Sequence, residues 1–209
     1  MAYIHVGRHV DVVKESATKK VALASALSAL GIVISPLFFE WLGTRAFPGQ
    51  HFINVLSGVL LGPVWGASVA IIIGTVRIAI GTGTLFAYPG GIPGAVLVGL
   101  AYIMLSRVYK SRYKYLAALA EPVGTVFIGG TIALTIVAPH LGPAVGPAAT
   151  MLRNVETLGF FPALLILWGG WAVSSVIGSL AGLMFLAAAE RYGVISRAVA
   201  VRSQRSDER

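Results

Sequence analysis

Six apolar runs occupy most of this chain and leave it few ways to fold. They cover residues 21–39, 52–61, 64–80, 92–105, 116–138 and 160–189. A helix that crosses hydrocarbon needs about 20 predominantly apolar residues, with a range of roughly 17–25. The second run reaches that length only if residues 46–51 join it, and the fourth only if it begins near Leu85. Only 11% of the residues are charged and the mean hydropathy is +0.83, whereas a soluble domain carries roughly 25% charged residues. Too little polar surface remains to cover a water-facing globule. The sequence therefore predicts an all-α integral membrane protein, a bundle of six transmembrane helices embedded in the lipid bilayer.

The direction of the spans follows from Lys and Arg. Arg8, Lys14, Lys19 and Lys20 precede the first run, while Arg107, Lys110, Arg112 and Lys114 separate the fourth from the fifth. Arg191, Arg197, Arg202, Arg205 and Arg209 follow the sixth. With six spans, these thirteen of the sixteen basic residues fall on one side, and Arg45, Arg77 and Arg153 on the other. Basic residues accumulate in cytoplasmic connections, so both termini are expected in the cytoplasm of a multi-pass plasma-membrane protein. The net charge of +8 sits at the ends of apolar runs rather than along one face, which argues against nucleic acid as a partner. Residues 1–20 read as a cytoplasmic segment, 21–192 as the membrane domain and 193–209 as a basic, frayed tail. No small-residue cleavage site follows the first run, so it reads as a retained span. The chain has no Cys, which excludes disulfides, thiolate metal ligands and cysteine nucleophiles.

Polar groups are costly in hydrocarbon unless they meet partners or water, and they gather where they are used. Between residues 48 and 90, Gln50, His51, Asn54, Arg77, Thr82 and Thr84 punctuate sequence that is otherwise apolar or glycine. His51 and Asn54 are three apart, on one helical face, and could hydrogen-bond a small heterocycle or cap a helix. Arg77 could snorkel to headgroups or serve a ligand in a cavity. Gly81-Thr82-Gly83-Thr84 combines backbone freedom with hydroxyls, and Tyr88 lies just beyond it. No GxxxxGK[ST] motif occurs in the chain, so it is not expected to hydrolyse ATP itself. Asn154 and Glu156 stand before the last run, and Glu40 between the first two. Trp168 and Trp171 share a face of the last span, and the depth of Trp168 suits an aromatic wall for a flat ring. Glu121 is expected to be structural, balanced by Arg112 or Lys114. Scattered histidines and the lack of HExxH give no metal site, no cofactor and no catalytic constellation. A stand-alone secondary transporter would show internal repeats and a membrane-embedded acid for ion coupling; neither is evident. An intramembrane enzyme is a further alternative.

Small residues recur every fourth position at Gly66, Ala70 and Gly74, and again at Gly170, Ser174, Gly178 and Gly182. Such ladders let backbones approach closely within a bundle. Ala22 and Ala26 form a shorter one on the first span, which could pack inside the bundle or meet another protein.

Residues 47–56, the Gly58-Val59-Leu60-Leu61-Gly62-Pro63 segment, Arg77, and Gly81-Thr82-Gly83-Thr84 through Ala87-Tyr88-Pro89-Gly90 resemble the ThiW family. The resemblance is tight there, looser through Glu121-Pro122-Val123-Gly124-Thr125 and the last ladder, and broken at Gly91-Ile92-Pro93. It implies a six-helix substrate-binding (S) component of an energy-coupling-factor transporter, for thiamine or its hydroxyethylthiazole precursor. The ligand would bind near the outer face, under the connection 40–50. Together, the resemblance and the polar pattern give as expected substrate-binding residues Gln50, His51, Asn54, Arg77, Thr82, Thr84 and Tyr88, with Asn154, Glu156 and Trp168 added from the residues alone. A separate membrane coupling protein and two ATP-binding subunits would supply the drive. Ala22 and Ala26 match the family's docking face for the coupling protein, with Ala24 and Ser28 as the other register.

Overall fold

The computed structural model describes residues 17–41, 44–109 and 112–193. The expected segments 1–20 and 193–209 lie almost wholly outside the described residues. The chain forms α1 (Ala17–Ile34), a short hairpin of β1 (Phe39–Trp41) and β2 (Thr44–Ala46), α2 (Pro48–Leu61) and α3 (Pro63–Ala79). A single 3-10 turn, Leu85–Ala87, leads into α4 (Ile92–Val108). A long helical run of changing pitch, α5 (Arg112–Leu141), is followed by α6 (Gly146–Leu158) and α7 (Phe160–Arg191).

Four of these runs are long and apolar enough to cross a membrane: α1, Leu85–Val108, α5 and α7. The fourth sequence run thus reaches spanning length through Leu85. α3, with 17 residues, is apolar but shorter. α2 has 14 residues, about 21 Å at a rise of roughly 1.5 Å per residue. Large apolar side chains such as Val33, Val64, Phe161 and Met184 point outward, the inverse of a water-facing surface and the expected dress of a lipid-facing one.

α2 is the axis of the bundle. Nearly all of its residues are buried, polar ones included, and Ile53, Val55, Leu56 and Val59 of α2 pack with Leu27, Val69, Val98 and Leu186 from four other helices. Close approach depends on glycine. A Cβ on Gly178 would fall 2.6 Å from Cβ of His51, and one on Gly182 2.7 Å from Val55 Cγ1, so α7 can lie against α2 only with bare backbone there. Gly66 meets Gly58 across the α2–α3 crossing, and Gly124 meets Pro93 across α4–α5. The ladders of the third and last spans therefore pack inside the bundle.

Two glycines turn the chain from one helix straight into the next. Gly62 (φ +86°) ends α2 and begins α3, and Gly159 (φ +89°) does the same for α6 and α7. L side chains rarely adopt that conformation, and Pro63 follows Gly62 at the first helical position, where its missing N–H is no loss.

α5 begins with 3-10 geometry over Arg112–Ala120 and widens to π geometry over Val123–Gly129. Glu121 and Pro122 sit at the change. Proline offers no N–H to the helical ladder, and wide turns of this kind often accompany functional positions.

Candidate functional site

A cavity of about 470 Å³ opens between the N-terminal end of α2, the C-terminal end of α3, α6 and the first half of α7. Its polar wall includes Gln50, His51, Arg77, Thr82, Thr84 and Asn154. Phe47, Phe86, Met151, Leu167 and Trp171 supply apolar surface. An apolar pocket with a few convergent polar groups is the usual form of a small-molecule site.

Arg77 is 2% exposed, so it does not snorkel to the headgroups. Its Nη1 donates to Gln50 Oε1 at 2.5 Å, its Nη2 to the Thr82 carbonyl at 3.3 Å, and its guanidinium lies 4.1 Å over the Phe47 ring. Among the described residues no carboxylate pairs with it or lines the cavity. The Gly81–Gly83 turn folds back on the end of α3, where the Thr82 and Gly83 amides both donate to the Arg77 carbonyl. Gln50 extends its Nε2 toward the Ala87 carbonyl at 3.4 Å. A Cβ on Gly91 would fall 2.7 Å from that nitrogen, so the glycine where the family pattern breaks leaves room for the amide.

Behind the cavity lies a group the sequence reading undervalued. Glu121 is fully buried and gathers donors from three helices. Its Oε1 lies 2.8 Å from His51 Nδ1 and accepts from Asn54 Nδ2 at 2.9 Å and Thr125 Oγ1 at 2.7 Å. Its Oε2 accepts from Ser175 Oγ, and from Ser179 Oγ at 3.3 Å. The expected balance by Arg112 or Lys114 is not what forms: Lys114 pairs instead with Glu190, at 3.2 Å. The expectation of no membrane-embedded acid is corrected as well. The reason is the α5 geometry, which turns Glu121 inward onto α2 and α7 rather than toward the basic connection. The pairing signal was present, since His51 and Asn54 share a face and Ser175 and Ser179 are spaced i, i+4.

Four expected residues stand off the cavity wall. Asn54 is committed to Glu121, and its Oδ1 is buried without a partner among the described residues. Tyr88 turns to the outer face of α3, its hydroxyl 3.1 Å from Thr75 Oγ1. Glu156 is exposed on α6. Trp168 faces α5, edge-on to Phe127 at 4.9 Å and beside Gly130, while Trp171, one turn on, takes the wall. Ser174 was read only as part of a ladder. It borders the cavity, and its hydroxyl has no partner among the described residues; its spacing of three from Trp171 was the available clue. Helix α6, which brings Thr150, Met151 and Asn154 to the wall, was read as a connection because one of its faces is polar and it is short.

On α1, Ala22 and Ala26 are exposed, while Ala24 and Ser28 face the bundle. Of the two registers considered, only the first leaves its small residues free.

No curated protein matches the chain. A family profile described as "Thiamine-precursor transporter protein (ThiW)" matches residues 21–192, which include every helix that borders the cavity. This multi-pass helical membrane protein belongs to the ThiW family of thiamine-precursor transporter proteins.

Proposed function

We propose that the chain is the substrate-binding component of an energy-coupling-factor importer, that it captures hydroxyethylthiazole at the outer face, and that it is not itself an enzyme. In this reading α1 to α5 and α7 all cross the bilayer with both termini in the cytoplasm of the plasma-membrane protein. The short α2 is shielded by its neighbours, and α6 lies at the outer surface. The asymmetry of Lys and Arg supports that direction. Residues 21–192 act as one membrane domain, and the flanking segments remain cytoplasmic.

The observation that carries the substrate reading is the wall itself. Gln50, His51, Arg77, Thr82, Thr84 and Asn154, from separate parts of the sequence, border one cavity with Trp171. A thiazole ring suits the aromatic surface, and its ring nitrogen and hydroxyl suit the hydrogen-bonding groups. Thiamine carries a fixed positive charge, which favours a nearby acid. A wall that carries Arg77 and, among the described residues, no carboxylate favours the neutral precursor.

The partners are a membrane coupling protein and two ATP-binding subunits on separate chains, with Ala22 and Ala26 on the docking face. A stand-alone secondary transporter is a second reading, favoured by one observation: Glu121, a buried acid within a candidate span. Uptake of labelled hydroxyethylthiazole into proteoliposomes separates the two. Accumulation only when the coupling protein, ATP-binding subunits and ATP are present is the expected result. Accumulation by this chain alone, driven by an ion gradient, would replace the first reading with the second.

A further inference from the structure

His51 touches both the cavity and the buried carboxylate. Its Nδ1 lies 2.8 Å from Glu121 Oε1, and the residue borders the cavity. Nε2 is the ring nitrogen left without a hydrogen bond to the described residues.

The state of that nitrogen follows from what surrounds Glu121. An ionised carboxylate accepts at every lone pair it offers, and all five groups around Glu121 can serve it as donors. The proton between Glu121 and His51 therefore resides on Nδ1. Charge balance decides the rest. Arg77 borders the same cavity as His51 and, among the described residues, pairs with no carboxylate. Glu121 already has partners in Asn54, Thr125, Ser175 and Ser179, and an imidazolium would set a second cation on the cavity wall that Arg77 borders, a like-charge arrangement that disfavours the protonated ring. The neutral ring with hydrogen on Nδ1 leaves the lone pair of Nε2 as its free function.

We propose that Glu121 is a positioning residue that fixes His51 in the Nδ1–H tautomer. Nε2 is thereby presented to the cavity as an acceptor, and the site selects a neutral ligand bearing a hydroxyl donor. Asn54, Thr125, Ser175 and Ser179 hold the carboxylate in place, which gives the polar residues of α2, α5 and α7 a common purpose. The identity of the ligand rests on the functional reading above; the tautomer does not.

The test has two arms. In the first, the purified protein is titrated calorimetrically with hydroxyethylthiazole and with its O-methyl ether. The ether keeps the oxygen as an acceptor, loses the donated proton, and adds only a methyl group to a cavity of about 470 Å³. The alcohol should bind about tenfold more tightly, the worth of one buried hydrogen bond, and Glu121→Met, which removes the acceptor, should erase most of that preference. Equal affinity for alcohol and ether in the unsubstituted protein would overturn the inference while leaving the functional reading intact. A preference fully retained in folded Glu121→Met protein would remove Glu121 from the role. In the second arm, nitrogen-15 spectra of histidine-labelled, ligand-free protein read the tautomer directly. His51 should show a protonated Nδ1 and a bare Nε2, and an Nε2–H or doubly protonated ring would overturn the proposal. If the alcohol fails to bind at all, the functional reading falls, and these spectra still decide the part played by Glu121.

Discussion

Arg77 Nη1 donates to Gln50 Oε1 at 2.5 Å and so ties the end of α3 to the start of α2. The bond satisfies a buried cation with a neutral amide instead of an acid, and this choice sets the electrostatics of the cavity.

Gln50→Leu should leave the guanidinium short of its acceptor. A loss of about 1–3 kcal/mol is expected for a buried donor left unmade, read as a lowered midpoint in detergent thermal melts. Gln50→Glu should act differently, because it places a carboxylate beside Arg77. The preference for hydroxyethylthiazole over thiamine should narrow by about tenfold or more, as paired titrations would show. An unchanged ratio would mean that charge at this wall does not choose the ligand.

The two tryptophans of α7 should respond differently to ligand. Trp171 borders the cavity, whereas Trp168 packs against Phe127. Ligand-induced change in tryptophan fluorescence should vanish in Trp171→Phe and persist in Trp168→Phe. The reverse result would move the ligand to the α5 side of the helix.

Gly178 and Gly169 separate packing from mere helix propensity. A side chain at Gly178 would run into the backbone of Pro48 and the Cβ of His51, whereas nothing lies within 4 Å of a Cβ at Gly169. Gly178→Val should cost about 1–3 kcal/mol through overpacking and weaken ligand binding by displacing His51. Gly169→Ala should leave stability and binding unchanged or slightly improved. Thermal melts and titrations of both variants check the contrast.

On α1 the exposed and buried small residues predict opposite phenotypes. Ala22→Leu and Ala26→Leu should retain ligand binding in detergent yet lose assembly with the coupling protein, scored by co-purification. Ala24→Leu should destabilise the protein itself, since Ala24 is only 4% exposed against the bundle. Normal co-purification of the Ala22 and Ala26 variants would shift the docking face elsewhere.

The helical membrane character was legible because hydrophobic runs and flanking charges act through length and composition alone. The packing role of the Gly66 and Gly178 ladders was legible for a similar reason, because small residues four apart share a face whatever the tertiary context. Helix α6 was not, since Arg153, Asn154 and Glu156 give it the look of a connection. The cavity was legible on its α2 and α3 sides, where polar residues interrupt apolar sequence and resemble a known pattern. It was obscured on α7, where Trp168 and Trp171 are one turn apart and only the packing of α5 decides which of them faces inward. The setting of Glu121 was not legible, because Arg112 and Lys114 are its nearest basic residues in sequence but not its partners in the fold. Its true partners come from α2, α7 and one turn further along α5, and the inward turn that collects them arises where α5 changes pitch beside Pro122.

The central claim is that this chain alone captures a neutral thiamine precursor. Calorimetric titration of purified, folded protein with hydroxyethylthiazole, thiamine and the pyrimidine precursor tests it most directly. Saturable one-to-one binding of hydroxyethylthiazole is expected, with thiamine weaker by about tenfold or more. Failure of hydroxyethylthiazole to bind, or tighter binding of thiamine, would contradict that claim.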